Sequence, residues 1–211
     1  MSTIGAKDAG VVAVGGYTVD GRLDGFESAR GWTEARAAIS ARFAATGLTV
    51  LETIGLGYQQ LSGRALTPAR GWSYVGGDCA AVVRGGRWAV LDAAAAGFGA
   101  SARGTLGELL ATGGAQDVGE IDERGGLIAH ETKIGLGEEL AATGARFVHT
   151  VTGIMNGLAE IYSILSDLDW QPPHGWVYEG GDWLVAVGGR RWALIPAEGG
   201  DIVAAQRAVL R

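Results

Sequence analysis

The chain has 211 residues, a formal net charge of −6 and an apolar content of 47%. That acidity opposes sequence-independent binding of DNA or RNA, which needs clustered Lys and Arg. The apolar content excludes a disordered chain. A single cysteine, Cys79, leaves no intrachain disulfide and fits a reducing compartment. Met1 to Gly10 holds one Lys and no long apolar core, so no secretory signal is expected there. No stretch approaches the ~18 consecutive apolar residues of a membrane span. The expectation is a soluble cytoplasmic protein.

The chain repeats itself. Gly71-Trp72-Ser73-Tyr74-Val75-Gly76-Gly77-Asp78 returns as Gly175-Trp176-Val177-Tyr178-Glu179-Gly180-Gly181-Asp182, and Arg87-Trp88-Ala89 returns as Arg191-Trp192-Ala193, each 104 residues on. The same shift aligns Gly15 with Gly119, Phe43 with Phe147 and Tyr58 with Tyr162 without a gap. A period this long is a duplicated domain and not a solenoid repeat. The boundary falls near Gly104, giving copies over 1–104 and 105–211.

In chain order, each copy opens on a hairpin. Val11 to Tyr17 and Leu23 to Ser28 flank an Asp20-Gly21 turn, a strong hairpin signal. The second copy reads Gln116 to Ile121, a turn at Arg124-Gly125-Gly126, then Leu127 to Thr132. A long helical segment follows, about 32–62 and 136–166. In the second copy Phe147, Val151, Ile154, Leu158, Ile161 and Leu165 make one stripe at helical spacing, a candidate helix-pairing face. Glycines 47, 55, 57, 144, 153 and 157 lie inside these segments, each costing ~1 kcal/mol against Ala. Either the helix breaks in two, or small residues admit a close neighbour; one long, bent helix is the preferred reading, and Gly153-x-x-x-Gly157 has the spacing for close approach. Pro68 and Pro172-Pro173 end the helices and start a three-stranded meander. Ala93 to Leu110 reads as an Ala-rich linking helix with breaks at Gly104 and Gly107, and Asp201 to Leu210 as its counterpart.

With two-residue turns at Gly76-Gly77 and Gly85-Gly86, Trp72, Tyr74, Cys79, Ala81, Val83, Trp88 and Val90 share one sheet face, as do Trp176, Tyr178, Trp183, Val185, Val187, Trp192 and Leu194. The opposite face is also apolar, so helices must cover both sides. The rings of Trp72, Tyr74, Trp88, Trp176, Tyr178 and Trp192 read first as packing beneath the long helix; the alternative is a ligand or partner face. Cys79 reads as a buried strand residue. His130, His149 and His174 share no metal-ligand spacing, and no catalytic or nucleotide-binding motif is present. No metal, cofactor or catalytic residue is expected.

The order hairpin, long helix, meander, helix resembles the Roadblock/dynein-light-chain family. Gly10-Val11-Val12-Ala13-Val14 with Asp20-Gly21-Arg22-Leu23 is similar to that family's first hairpin. Gly113-Gly114-Ala115 followed by Ile121-Asp122-Glu123-Arg124-Gly125-Gly126-Leu127 is closer still. The Gly-Trp-x-Tyr-x-Gly-Gly-Asp block resembles a prokaryotic relative of Roadblock known only as a domain of unknown function. Two features depart from the pattern: the helix near 32–62 is long, and the helix before Gly10 is short or missing. The resemblance implies an α/β (α+β) fold of two tandem Roadblock-like (profilin-like) domains, each a five-stranded antiparallel sheet with helices on both faces. Such domains pair by continuing the sheet and packing central helices, which a tandem chain could do within itself as a pseudo-dimer; two equal sheets facing each other is the simplest arrangement expected. The implied function is a non-catalytic scaffold or regulator with a protein partner, a small Ras-like GTPase or an enzyme complex, without nucleic acid or membrane. A homodimer, a small-molecule sensor using the aromatic face and an accessory enzyme subunit are the alternatives.

Overall fold

A computed structural model describes residues 10–29, 31–98, 104–112, 114–167 and 172–211. The opening hairpin, β1 (Val11–Tyr17) and β2 (Leu23–Ser28), has the expected bounds. Gly21 closes its turn at φ 76° by donating its N–H to Thr18 O. Helix α1 (Glu34–Ser62) starts where Thr33 Oγ1 accepts from Arg36 N, and stops where Gly63 turns left-handed at φ 70° and donates to Gln59 O. The meander follows as β3 (Ala69–Gly76), β4 (Cys79–Arg84) and β5 (Arg87–Asp92). After α2 (Leu106–Thr112) the order repeats: β6 (Asp117–Ile121), β7 (Leu127–Thr132), α3 (Glu138–Ser166), β8 (Gly175–Gly180), β9 (Trp183–Gly188), β10 (Arg191–Pro196) and α4 (Ile202–Leu210).

Both long helices are unbroken over 29 residues, and the structure shows how their glycines are used. A Cβ on Gly47 would lie 2.9 Å from the Trp72 indole, and one on Gly55 would lie 2.5 Å from the Tyr178 hydroxyl. These two positions must stay small because a ring from the sheet occupies the space. Gly153 and Gly157 face nothing within 4 Å, so their spacing does not mark a close approach. Gly153→Ala and Gly157→Ala should therefore each raise stability by about 0.5–1 kcal/mol, read as a higher denaturation midpoint at constant m value.

Several expectations are corrected. The first meander turn is Gly77-Asp78, because Gly76 pairs with Cys79 and stays in the strand. Gly77 alone takes positive φ there, 57°, the requirement of a two-residue turn with glycine first. This moves each partner by two residues and leaves the faces unchanged. The second turn is Gly85-Gly86 as expected, both glycines at positive φ, with Val83 opposite Trp88. Ala93 to Gly97 forms turns and not a helix: Gly97 takes φ 77° and Phe98 N donates back to Ala93 O. Helix begins only at Leu106; residues 99–103, beside the expected boundary, and the segment before Gly10 lie outside the described residues. Cys79 is half-buried, since it opens β4 and does not sit in its interior.

The largest correction concerns assembly. The copies do not face each other as two sheets. Among the described residues all strands join one ten-stranded antiparallel sheet in the order β2-β1-β5-β4-β3-β8-β9-β10-β6-β7. The join is β3 against β8, where Trp72 lies opposite Tyr178, Ser73 opposite Val177 and Tyr74 opposite Trp176. Edge-to-edge pairing satisfies the N–H and C=O groups that each meander would otherwise leave open. Stacked sheets would leave those edges exposed. One face then buries a core with α1 and α3, built on Trp72, Tyr74, Trp88, Trp176, Tyr178 and Trp192. The other face buries Val75, Val82, Leu91, Val177 and Leu184 against α2 and α4.

Candidate functional site

The six aromatic residues weighed as a ligand or partner face are all buried under α1 and α3. The Trp72 indole N–H donates to Ala44 O at 3.3 Å, and that of Trp176 donates to Thr152 Oγ1 at 2.8 Å. Tyr178 donates to Leu66 O, and burial raises its phenol above the usual range. Trp88 stacks on Trp32 at 5.9 Å between centroids, and Trp192 on His130 at 6.4 Å. Gly15 and Gly119 seat these last two rings: a Cβ at either would come within 2.6 Å of the indole. A cavity of about 10 Å³ lies under this face beside Ser40, Phe43, Trp88 and Tyr162. Such a void holds at most one water. The aromatic face is thus packed core and presents no surface to a partner.

The helices α1 and α3 pair antiparallel through two contacts related by the repeat. Phe43 stacks on Tyr162 at 4.4 Å, and Phe147 lies 4.6 Å from Tyr58. Tyr162 also shares a 2.5 Å hydrogen bond with Ser40 Oγ, whereas Tyr58 meets the corresponding Gly144. Of the expected helix-pairing stripe, Phe147 and Val151 are buried and Ile154 and Leu158 are half-buried. Ile161 and Leu165 are a correction: they are 55% and 60% exposed, next to Ile164 at 75%. The buried line on α3 runs one residue over, through Val148, Val151, Met155, Ala159, Tyr162 and Ser166. That line mixes Met155 and Tyr162 with Ala159 and Ser166, where the stripe carries only large apolar side chains. On α1, Leu56 and Leu61 are also exposed. The solvent side of the helix pair therefore carries large apolar side chains at both ends.

Sequence reasoning missed two buried acids, both in the second copy and both met by arginines of the first. Asp117, fully buried, lies 3.3 Å from Arg64 Nη2 and 3.8 Å from His130 Nε2. Arg64 also stacks over Trp183 at 5.1 Å. Glu179 takes Arg84 at 2.8 Å and Arg70 at 3.6 Å. A signal lies in the repeat: Asp117, His130 and Glu179 align with Ala13, Phe26 and Val75. An acid standing where the sister copy has an apolar residue points to a counter-ion from elsewhere in the fold. Among the described residues no group of three or more His, Cys, Asp or Glu could hold a metal ion, and no helix is long and apolar enough to cross a membrane.

Taken together, the sheet, the helix pair and the 104-residue shift define a mixed α/β protein made of one domain written twice. The profile of the family described as Uncharacterized conserved protein (DUF2173) matches residues 6–101 and again 105–209, and the chain belongs to that family. No curated protein and no solved structure matches the chain.

Proposed function

We propose that the protein is a non-catalytic interaction scaffold, a pseudo-dimer of Roadblock-like domains built within one chain. The resemblance of the hairpin and meander motifs supports this, as do the continuation of the sheet through β3 and β8 and the pairing of α1 with α3. The observation that carries the reading is the apolar solvent side of the helix pair, with Leu61 76% exposed and Ile161, Ile164 and Leu165 close behind. Exposed large apolar groups such as the Ile161, Ile164 and Leu165 cluster at one end of the pair mark protein contact sites. The partner class we favour is a small Ras-like GTPase, with an enzyme complex as the second. A small-molecule sensor would need a cavity on the aromatic side, where the six rings are buried in the core beneath α1 and α3.

Affinity capture from source lysate, comparing the wild type with Ile161→Asp/Leu165→Asp, tests the reading. A specific protein should bind the wild type and be lost at least about tenfold in the variant, since truncated anchors cost about 1–4 kcal/mol at interfaces. Stability should be unchanged because both positions are exposed. Equal capture by both proteins would remove this face from the proposal. Light scattering should report a monomer, the pairing surfaces being satisfied internally.

A further inference from the structure

The duplication supplies an internal comparison at the first hairpin turn. In the second copy the exposed His149 of α3 packs against the β6–β7 turn: a Cβ on Gly125 would lie 2.7 Å from His149 Cβ and 2.8 Å from its Cγ. The residue at the corresponding place in α1 is Ala45, whose methyl lies 3.3 Å from a Cβ built on Gly21. Where the second copy sets an imidazole against the turn, the first has a methyl group and an open groove of about 560 Å³ between the β1–β2 turn and α1. The groove is shallow and open to solvent, so a ligand seated there keeps one side exposed.

The lining has a definite chemistry. Val19 at the turn is fully exposed and, with Val50 of α1, supplies the apolar wall. Asp20 is already neutralised: Thr18 Oγ1 donates to it at 2.5 Å and Arg22 Nε lies 2.8 Å away, and together they lower its pKa. Arg42, one turn of α1 before Thr46, also lines the groove and has no hydrogen bond or ion pair within the described residues. Its counterpart Arg146 donates to Thr143 Oγ1 at 3.3 Å. The groove therefore holds one uncompensated guanidinium, the group best suited to carboxylate and phosphate oxygens, beside two branched apolar side chains.

We propose that the first copy binds a small organic oxyanion in this groove, a carboxylate or phosphate on a short branched apolar group, and that His149 takes the equivalent place in the second copy. Arg42 takes the oxyanion, and Val19 and Val50 pack on the apolar part. The site is independent of the helix-pair face.

The test is an amide chemical-shift titration of the full chain with isovalerate, with isoamyl phosphate and with neutral isoamyl alcohol. At least one anion should give saturable shifts centred on 18–22 and 42–50, and the alcohol should give none at equal concentration; which anion binds separates the carboxylate from the phosphate source. Ala45→His, which copies the imidazole already accommodated in the second copy, should abolish binding. Arg42→Gln, at an exposed position, should weaken it at least about tenfold, the worth of one charge-assisted hydrogen bond. Absence of saturable shifts with both anions would overturn the proposal, as would equal binding of the alcohol or undiminished binding in Arg42→Gln.

Discussion

Trp176→Ala is expected to cost about 3–5 kcal/mol of folding stability, the range for deleting a fully buried tryptophan. Trp176 lies on β8 directly opposite Tyr74 of β3, so its ring sits on the join between the two copies. Truncation leaves a cavity beneath α3 in the core that also holds Met155 and Ala159. The indole N–H bond to Thr152 is lost as well. Chemical denaturation followed by fluorescence and circular dichroism measures the loss. The two probes should coincide in one transition for the wild type, because one sheet and one shared core couple the copies. Two separate transitions would show that β3 and β8 do not bind the copies into one cooperative unit, and a loss below about 1 kcal/mol would deny the ring its place in the core.

The second large effect is expected at Arg64. Arg64→Ala leaves Asp117 fully buried without its 3.3 Å counter-ion, and breaking a buried pair by removing one partner costs about 3–5 kcal/mol. We expect the lower end, since the Arg64 side chain retains 14% exposure. The double variant Arg64→Ala/Asp117→Ala should recover most of the loss. The first copy shows why: Ala13, at the place of Asp117, is buried in the same kind of environment with no charge to satisfy. His130 Nε2, buried without a hydrogen-bond partner among the described residues, loses its 3.8 Å acid neighbour in the double variant, so recovery stops short of the wild type. If the double variant is no more stable than Arg64→Ala, the cost lies in lost packing of the Arg64 stem on Trp183 and not in the stranded carboxylate.

These two positions differ in how legible they are in the sequence. Trp176 announces itself through the repeat and the strand alternation, which together place its ring beneath the long helix. Asp117 does not. It sits in a short polar stretch, and its partners Arg64 and His130 come from a different copy and a different strand. The stripe on α3 falls between these cases. Its spacing identifies a helix and an apolar flank, and Phe147 and Val151 do pack inward. The same flank leaves the protein interior at Ile161 and Leu165, where Tyr162 and Ser166 are the buried residues instead.

What the amino-acid sequence determined by itself is therefore local or periodic. It includes the two copies, the bounds of β1, β2 and β7, the Gly85-Gly86 turn, the unbroken helical register and the division of aromatic and aliphatic residues between sheet faces. Each follows from backbone sterics or alternation over a few residues, which act wherever the segment lies. The tertiary structure alone decided that β3 meets β8 edge to edge, that α3 leaves Ile161 and Leu165 exposed, and that three arginines of one copy meet two buried acids of the other. Those outcomes depend on contacts between residues tens of positions apart. Their energies compare whole surfaces, which no short window of sequence contains.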